Sequence, residues 1–196
     1  PEVLANIAGC LEVNGAGIRE VLARQQESRT FPAPLQIMGG LGKFTDFIPG
    51  GRIYNDDEMI VGSHLMNHPG GCVSYKFKKT DGGMFVFATD FEPDFTDHDE
   101  KVIAFWTGAN VVYADGQYED DSKVIPFMKT WGHSTYQRNI IMAAEAGIDL
   151  LILGHHDPLA DDSYLMAMED RAKAYARRTK AGLDVIVAKE GTHIGF

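Results

Sequence analysis

Cysteine is scarce in this sequence, since Cys10 and Cys72 are the only two among 196 residues. Two cysteines can build neither a disulfide framework nor a cysteine-rich zinc module, which excludes the small stapled domains of secreted proteins. Free thiols that resemble core residues suit a reducing compartment. We therefore expect a cytoplasmic protein.

Long apolar runs are also missing. No stretch approaches the roughly 20 consecutive apolar residues of a membrane-spanning helix, so we expect no membrane partner. The first ten residues, PEVLANIAGC, lack the basic segment and apolar run of a signal peptide. They also lack an initiator methionine, so we expect the numbering to start inside a longer polypeptide.

Basic residues are outnumbered, with 18 Lys and Arg against 28 Asp and Glu and a formal net charge of −10. A protein that binds nucleic acid without specificity is usually basic, so this class is disfavoured. The densest basic cluster is interpreted as the solvated face and last turn of a helix: Arg171, Lys173, Arg177, Arg178 and Lys180. A small anionic substrate stays possible, because a bound metal can supply local positive charge.

The remaining composition is that of a globular protein, and we expect one domain over residues 1–196. Strand-like and helix-like stretches alternate, which predicts the α/β class. Residues 31–51 are predicted to form a long ordered loop. Strands are predicted over 58–67, 72–79, 84–89, 110–114, 150–153 and 184–188. Helices are predicted over 16–26, after Thr96, after a capping box formed by Ser134 and Gln137, and from 161 or 162 to Gly182.

Four of the predicted strands are each followed closely by a residue that can bind metal, namely His68, Asp90, Asp115 and His155. The ends of such strands gather on one side of an α/β sheet, so we expect these side chains to converge. Imidazole and carboxylate are common ligands of zinc and similar ions. The pattern therefore predicts a metal site.

Each of these residues has an alternative interpretation when it is taken alone. A histidine after a strand is more often a hydrogen-bonded loop residue, and an aspartate there is often a turn residue. Their shared placement favours His68, Asp90 and His155 as ligands. Three other histidines lack this context and are interpreted as structural or surface residues: His64, His98 and His193.

His133 stands immediately before a predicted helix. Free backbone N–H groups and the helix dipole favour an anion there, and an imidazole beside a bound phosphate could donate a proton to a leaving oxygen. The alternative is that Gly132, His133 and Ser134 are simply the start of a capped helix.

Five segments, HPGGCVSY, VFATDFEP, YADGQYED, WGHST and LILGHHDP, occur in this order. Together they resemble the metallo-β-lactamase superfamily, in its ribonuclease Z-like and cyclic-nucleotide phosphodiesterase-like branch. The resemblance runs from about Ile18 onward. It implies an αββα sandwich with a dinuclear metal site.

The resemblance also implies a role for each candidate residue. His68 would bind the first metal, Asp90 would bridge both metals, and His155 would bind the second. His133 would lie near the scissile phosphate, Asp115 would support a ligand imidazole, and His156 would be a less certain ligand. The cofactors would be two divalent ions, zinc first and manganese or iron as alternatives. The activity would be phosphodiester hydrolysis of a nucleotide or RNA-like substrate by metal-activated water, with another ester or lactone as the alternative.

One departure from the family is clear, because the signature HxHxDH motif is absent. In the family this motif supplies the remaining ligands and precedes the residues named here. We therefore expect the chain to be the C-terminal portion of such an enzyme, with the N-terminal part missing. Uncovered sheet edges and apolar faces would then favour a homo-oligomer or association with the missing segment. The alternative is a non-catalytic module that acts in binding or assembly.

The aromatic loop over residues 31–51 is the candidate for a wall beside the site. Phe31, Phe44 and Phe47 could stack on a base, with Phe31 the chosen wall residue. Aromatic side chains in such loops are more often simply packed, which is the alternative.

Overall fold

The computed structural model describes residues 18–26, 37, 44–94, 96–120 and 128–196. By contacts the chain divides into two compact units, Pro1–Pro49 and Gly50–Phe196. The first unit contains helix α1, Ile18–Gln25, which falls inside the predicted helix over residues 16–26. Phe31, the predicted wall residue, lies outside the described residues.

The second unit is built on a seven-stranded sheet whose strands follow one another in chain order. The strands β1 to β4 pair antiparallel, and β4 to β7 pair parallel. The mixed sheet with helices confirms the α/β class. The strands are β1 Gly51–Asn55, β2 Met59–Met66, β3 Cys72–Lys79, β4 Met84–Ala88, β5 Val111–Asp115, β6 Leu150–Gly154 and β7 Asp184–Val187.

Three helices alternate with the later strands: α2 Asp97–Trp106, α3 Tyr136–Ala146 and α4 Asp162–Thr179. Thr96 caps α2 and Asp161 caps α4 through their side chains, as the sequence predicts. Helix α3 ends at Gly147, whose φ of 70° is the left-handed conformation that glycine adopts without strain. Within the described ranges, no helix is both long and apolar enough to cross a membrane.

One face of the sheet and the three helices enclose the hydrophobic core. Val86, Val112, Leu151 and Val185 lie in register across β4 to β7, and each is at most 3% exposed. The helices cover them with apolar side chains that include Trp106, Ile140, Ala143, Met168 and Ala172. This burial is the main stabilising term and fixes which edge of the sheet carries the loops.

The opposite face of the sheet is aromatic. Tyr75 and Phe87 are paired across β3 and β4, and Phe87 stacks on Tyr113 of β5 with ring centroids 5.0 Å apart. Phe77 and Phe85 form a second stacked pair with centroids 6.0 Å apart. Phe87 is 40% exposed, so this face is apolar and partly open to solvent.

Two predicted helix termini are wrong. The N-cap of α3 is Thr135, which accepts a hydrogen bond from the Arg138 N–H, while Gln137 accepts from the Asp120 N–H. The predicted capping box of Ser134 and Gln137 therefore does not form. Helix α4 ends at Lys180, which is the C-cap in a left-handed conformation, two residues before the predicted end at Gly182. The short strand β1 was not predicted.

Candidate metal centre

The direction of the strands brings the candidate ligands to one edge of the sheet. Strands β2 and β4 run the same way, since both are antiparallel to β3, and β5 and β6 are parallel to β4. The carboxyl ends of these four strands therefore lie together. They carry His68, Asp90, Asp115 and His155 at or just after the last strand residue.

Two overlapping groups of potential metal ligands form at this edge. His68, Asp90 and His133 each place one ligand atom within 4.8 Å of the others, and so do Asp115, His133 and His155. Asp90 also joins the two groups, because its carboxylate lies 3.2 Å from the Nε2 atom of His155. Five of the residues singled out in the sequence thus form one cluster.

The imidazole rings of the cluster contact one another. His133 stacks on His155 with ring centroids 5.0 Å apart, and it meets His68 edge to face at 5.8 Å. The phenol ring of Tyr118 meets His133 edge to face at 6.0 Å. His133 is therefore the central ring of the cluster.

Asp90 and His155 adopt a backbone conformation that is unusual for side chains with a Cβ. Their φ angles are 54° and 52°, and among the described residues only Thr130 and Lys180 are other non-glycine residues with positive φ. Such conformations are sparsely populated and cluster at functional sites. Each brings a ligand-type side chain away from its strand and into the cluster.

The carboxylate of Asp115 contacts the His133 ring from the buried side. The Asp115 side chain is fully buried, and its Oδ2 atom lies 2.8 Å from Nδ1 of His133, which is 15% exposed. The backbone carbonyl of Asp115 accepts a hydrogen bond from the side-chain amide of Asn139, and the Oδ1 atom of Asn139 accepts one from Ser134. This chain of buried partners fixes the position of the carboxylate.

The electrostatic consequence is clearest at His133. The hydrogen bond that His133 donates to Asp115 raises the pKa of His133, and the fields of Asp115, Asp90 and Glu92 raise it further against the opposing effect of burial. The protonated imidazole is thus favoured. A carboxylate on one ring nitrogen also leaves the other nitrogen for a proton or a ligand.

His156 differs from its neighbour. Both of its ring nitrogens are buried and lack a hydrogen-bond partner of normal geometry among the described residues. Burial also lowers its pKa, so the neutral ring is favoured. The ring belongs to neither ligand group of the described residues.

The other histidines lie apart from the cluster. His64 is half-buried and stacks on Phe105 with ring centroids 5.4 Å apart, and a ring nitrogen of His98 lies 3.1 Å from the Leu65 carbonyl. His193 is exposed near the C-terminus. These placements agree with the structural or surface roles expected for all three.

Sequence reasoning missed Glu92, Gly132 and Asn139. Glu92 accepts two backbone hydrogen bonds from the loop before His133, and a Cβ at Gly132 would lie 2.2 Å from Cδ2 of His68. Asn139 could have been found, because it is a polar residue at a position of α3 that faces the core beside Ile140. No sequence pattern marks Glu92 or Gly132, because each acts through contacts between loops that are far apart in the sequence.

A cavity of about 890 Å³ opens beside the cluster. Tyr118, whose ring contacts His133, forms one wall, and Asp157, two residues after His155, forms another. The described lining residues include four carboxylates and no lysine or arginine: Glu119, Asp120, Asp157 and Asp161. The cavity is thus polar, acidic and partly aromatic.

The donor set fits divalent metal ions. Three imidazoles and two carboxylates from five separate loops and strands form two overlapping groups of three, with the ligand atoms of each group within 4.8 Å of one another. These are ligand types that zinc and similar ions select. The carboxylate behind His133 is the kind of partner that orients metal-bound or catalytic imidazoles. The metal site predicted from the strand ends thus has a structural counterpart.

No family model matches the sequence, and a comparison with curated proteins gives no match. Solved structures do match. The short form of human tRNase Z superimposes with a TM-score of 0.63 at 14% identity, over 95% of this chain and 66% of that one. Zinc-bound PqqB from Methylobacterium extorquens gives a TM-score of 0.59 at 14% identity, over 90% and 62%.

A third structure names the fold directly. The metallo-β-lactamase fold protein YhfI from Bacillus subtilis gives a TM-score of 0.57 at 17% identity, over 76% of this chain and 54% of that one. The chain therefore spans between about half and two thirds of the length of these three structures. The likenesses, together with the order of strands and helices, show that this chain has the metallo-β-lactamase fold.

Proposed function

We propose that this protein is a metal-dependent hydrolase and that its substrate is a phosphodiester. The observation that carries the proposal is the convergence of His68, Asp90, His133 and His155 at one edge of the sheet. The fold is shared with a protein named as a tRNase and with a zinc-bound protein. These likenesses support the proposal at the level of the fold.

His68, Asp90 and His155 would hold two divalent ions, zinc in the first place. Bound ions of this kind supply a water that is deprotonated near neutral pH and positive charge beside the substrate anion. Asp90 shares a ligand group with His68 and lies 3.2 Å from the Nε2 atom of His155, so its carboxylate would help to hold both ions.

His133 would donate a proton to the leaving oxygen. The contact with Asp115 at Nδ1 fixes the ring and leaves Nε2 as the nitrogen that can donate a proton. Asp115 would stabilise the charged ring without itself touching the substrate.

The charge of the cavity favours a small substrate over a long polyanion. Of its four lining carboxylates, Glu119 is paired with Arg171 and Asp120 lies 3.7 Å from the Arg138 guanidinium. Asp157 adds its negative field to the burial that raises the pKa of Tyr118. A second phosphate would meet this negative potential at an unfavourable energy. An uncharged or cationic group beside the scissile phosphate would be accommodated, whereas a long polyanion would not.

The proposal is tested with bis(p-nitrophenyl) phosphate as substrate and zinc or manganese as added metal. We expect metal-stimulated hydrolysis by the full-length protein. Asp90→Asn and His68→Ala should lower kcat/KM by 100-fold or more. His133→Ala should mainly lower kcat for a phosphodiester with an alkoxide leaving group, and much less for the p-nitrophenyl ester, whose anion leaves without a proton. His193→Ala, which changes an exposed histidine outside the cluster, is the matched control and should behave as the parent.

Parallel assays with p-nitrophenyl acetate and a lactone separate the alternative substrates. If the metal-stimulated activity is found only on these esters, the phosphodiester assignment is wrong and the hydrolase assignment stands. If Asp90→Asn leaves hydrolysis unchanged, the assignment of the centre is wrong.

The second candidate is a non-catalytic module, favoured by the absence of the HxHxDH motif from the 196 residues. Such a module would retain the fold while its incomplete donor set binds metal weakly. Metal-stimulated turnover by the protein would exclude this role. Elemental analysis that finds no metal, together with no turnover on any of the three substrates, would favour it.

A further inference from the structure

Glu92 binds the loop that precedes His133 with both carboxylate oxygens. Its Oε1 atom accepts a hydrogen bond from the Thr130 N–H, and its Oε2 atom accepts one from the Gly132 N–H, each at 3.1 Å. The loop is bent between these two contacts, since Thr130 and Gly132 have φ angles of 74° and 90°. A non-glycine residue rarely adopts such an angle without external support.

The backbone of Glu92 is in turn fixed to the segment before His68. The Glu92 N–H donates to the Asn67 carbonyl at 2.9 Å, and the Asn67 side-chain amide donates to the Glu92 carbonyl at 2.8 Å. Asn67 is the residue immediately before His68. Glu92 therefore links the loop of His68 to the loop of His133.

The two linked loops meet at the rings themselves. Gly132 faces the imidazole of His68 so closely that a Cβ there would lie 2.2 Å from Cδ2 and 2.9 Å from Nε2. His133 follows Gly132 directly and meets the same ring edge to face, with centroids 5.8 Å apart. Any shift of the loop would therefore move both imidazoles.

We infer that Glu92 is a positioning residue, which holds the Thr130–Gly132 backbone against His68 and so fixes the relative placement of the His68 and His133 rings. The consequence for metal binding rests on the proposed function, whereas the consequence for the rings does not. Glu92 belongs to neither ligand group of the described residues, so its hydrogen bonds act on the two rings through the loop.

The double contact requires a carboxylate. In Glu92→Gln one acceptor oxygen becomes an NH2 group, which cannot accept from a backbone N–H, so only one of the two hydrogen bonds can persist. Glu92→Ala loses both. A graded series is therefore expected, with Gln between the parent and Ala.

The first test measures the zinc dissociation constant of the full-length protein by competition with a fluorescent chelator. Partners that orient ligand imidazoles typically contribute 10- to 100-fold in metal affinity. We expect Glu92→Gln to weaken zinc binding by about 10-fold and Glu92→Ala by up to about 100-fold. Parent-like dissociation constants in both variants would overturn the inference.

Asp94→Ala is the matched control for loop stability. The Asp94 carboxylate also accepts two hydrogen bonds, from the N–H and hydroxyl of Thr96, but it belongs to neither ligand group. Asp94→Ala should lower the melting temperature about as much as Glu92→Ala does, but it should leave the zinc dissociation constant unchanged. Equal loss of zinc affinity in both variants would show a general effect of the loop and would also overturn the inference.

A second test needs no metal and so separates this inference from the proposed function. In metal-free protein labelled with 13C-histidine, Glu92→Ala should shift or broaden the Hε1–Cε1 signals of His68 and His133 more than Glu92→Gln does, because both variants lose the charge and only Gln keeps one of the two hydrogen bonds. Equal shifts in the two variants would show an effect of the charge alone and would overturn the inference. The signals of His64 and His193 should stay in place. If the His68 and His133 signals are unchanged, Glu92 does not position the rings, whether or not the protein binds zinc.

Discussion

Asp90 and His155 combine an unusual backbone with a chemically useful side chain. Both have φ near +50°, and their side chains lie 3.2 Å apart between the two groups of candidate ligands. Such a conformation costs of order 1–3 kcal/mol per residue and persists only where the surrounding structure enforces it. Asp90 and His155 were also selected from the sequence, because both follow strand ends. Their strained backbone is an independent reason to assign function to this edge.

Gly132 gives the sharpest prediction at the scale of the residue. Gly132→Ala should lower the free energy of unfolding by about 1–3 kcal/mol for its φ angle alone. It should also displace the His68 ring, because the new Cβ would overlap it. Urea unfolding and zinc affinity are the measurements.

Gly191→Ala is the control for this substitution. Gly191 also has a positive φ, of 77°, but no atom lies within 4 Å of a Cβ built on it. Gly191→Ala therefore carries the cost of the backbone conformation without any steric overlap. Zinc affinity should fall for Gly132→Ala and stay unchanged for Gly191→Ala. An equal effect in both would mean that the contact with His68 is unimportant.

His64 predicts how stability depends on pH. Burial lowers its pKa in the folded protein, and the charges of His98 and Lys101 lower it further. The unfolded state therefore binds more protons near pH 6.5, so this residue costs stability as the pH falls from about 6.5 through its folded pKa. His64→Phe, which can keep the stacking on Phe105, should remove this part of the acid sensitivity.

The measurement is the urea midpoint of parent and variant at pH 5.5 and pH 8. The difference between the two pH values should be smaller for His64→Phe than for the parent. His193→Phe changes an exposed histidine and should keep the difference of the parent. A variant with the same pH dependence as the parent would contradict the assignment to His64.

At the scale of the element, periodicity located helices and strands better than it located their ends. Strand β3 has the predicted bounds, while α3 starts after Thr135 because the hydroxyl of Thr135 also reaches Asp120. Ser134 does not cap the helix, and its hydroxyl donates to the buried Asn139. Competition among tertiary partners, which local sequence does not encode, decided the cap.

The end of α4 gives a prediction at this scale. Lys180 is exposed and has a φ of 54° as the helix C-cap, a conformation that costs a residue with a Cβ about 1–2 kcal/mol. Glycine adopts this φ angle without that cost. Part of the resulting gain in stability is lost, because glycine also gives the unfolded chain more conformational freedom. Lys180→Gly should therefore stabilise the protein by about 0.5–1 kcal/mol.

Thermal or urea unfolding measures this gain. Lys180→Ala is the control, since it removes the same charge but keeps a Cβ, and it should give no increase. A gain of equal size in both variants would point to the lost lysine charge and away from the backbone.

At the scale of the molecule, the sheet separates two environments. One face is closed by three helices, and the other presents the aromatic pairs Phe77–Phe85 and Phe87–Tyr113. The association of this face with another chain or segment, expected from the sequence, stays a prediction. The candidate metal centre lies at the edge between the faces, where loops from both halves of the sheet meet.

The whole molecule should be stabilised by metal, because the ligands converge only in the folded chain. Zinc at 100 times its dissociation constant should raise the free energy of unfolding by about 2.7 kcal/mol. The melting temperature should rise on addition of zinc and return to its starting value after dialysis against EDTA. Asp90→Asn should abolish the shift, while His193→Ala should keep it.

The amino-acid sequence was enough to predict the α/β class, most of the strands and helices, and the five residues that the structure brings together at the sheet edge. Their role as a metal centre stays a prediction. The sequence allowed these predictions because strand periodicity and ligand chemistry are local properties, and because His68, Asp90 and His155 all follow strand ends. The tertiary structure decided which ligands face each other, that Asp115 pairs with His133, and that Glu92 and Gly132 hold the two loops together. These contacts join residues 18 to 64 positions apart, so no local pattern could encode them; only the register of the sheet and the packing of its loops bring them within reach.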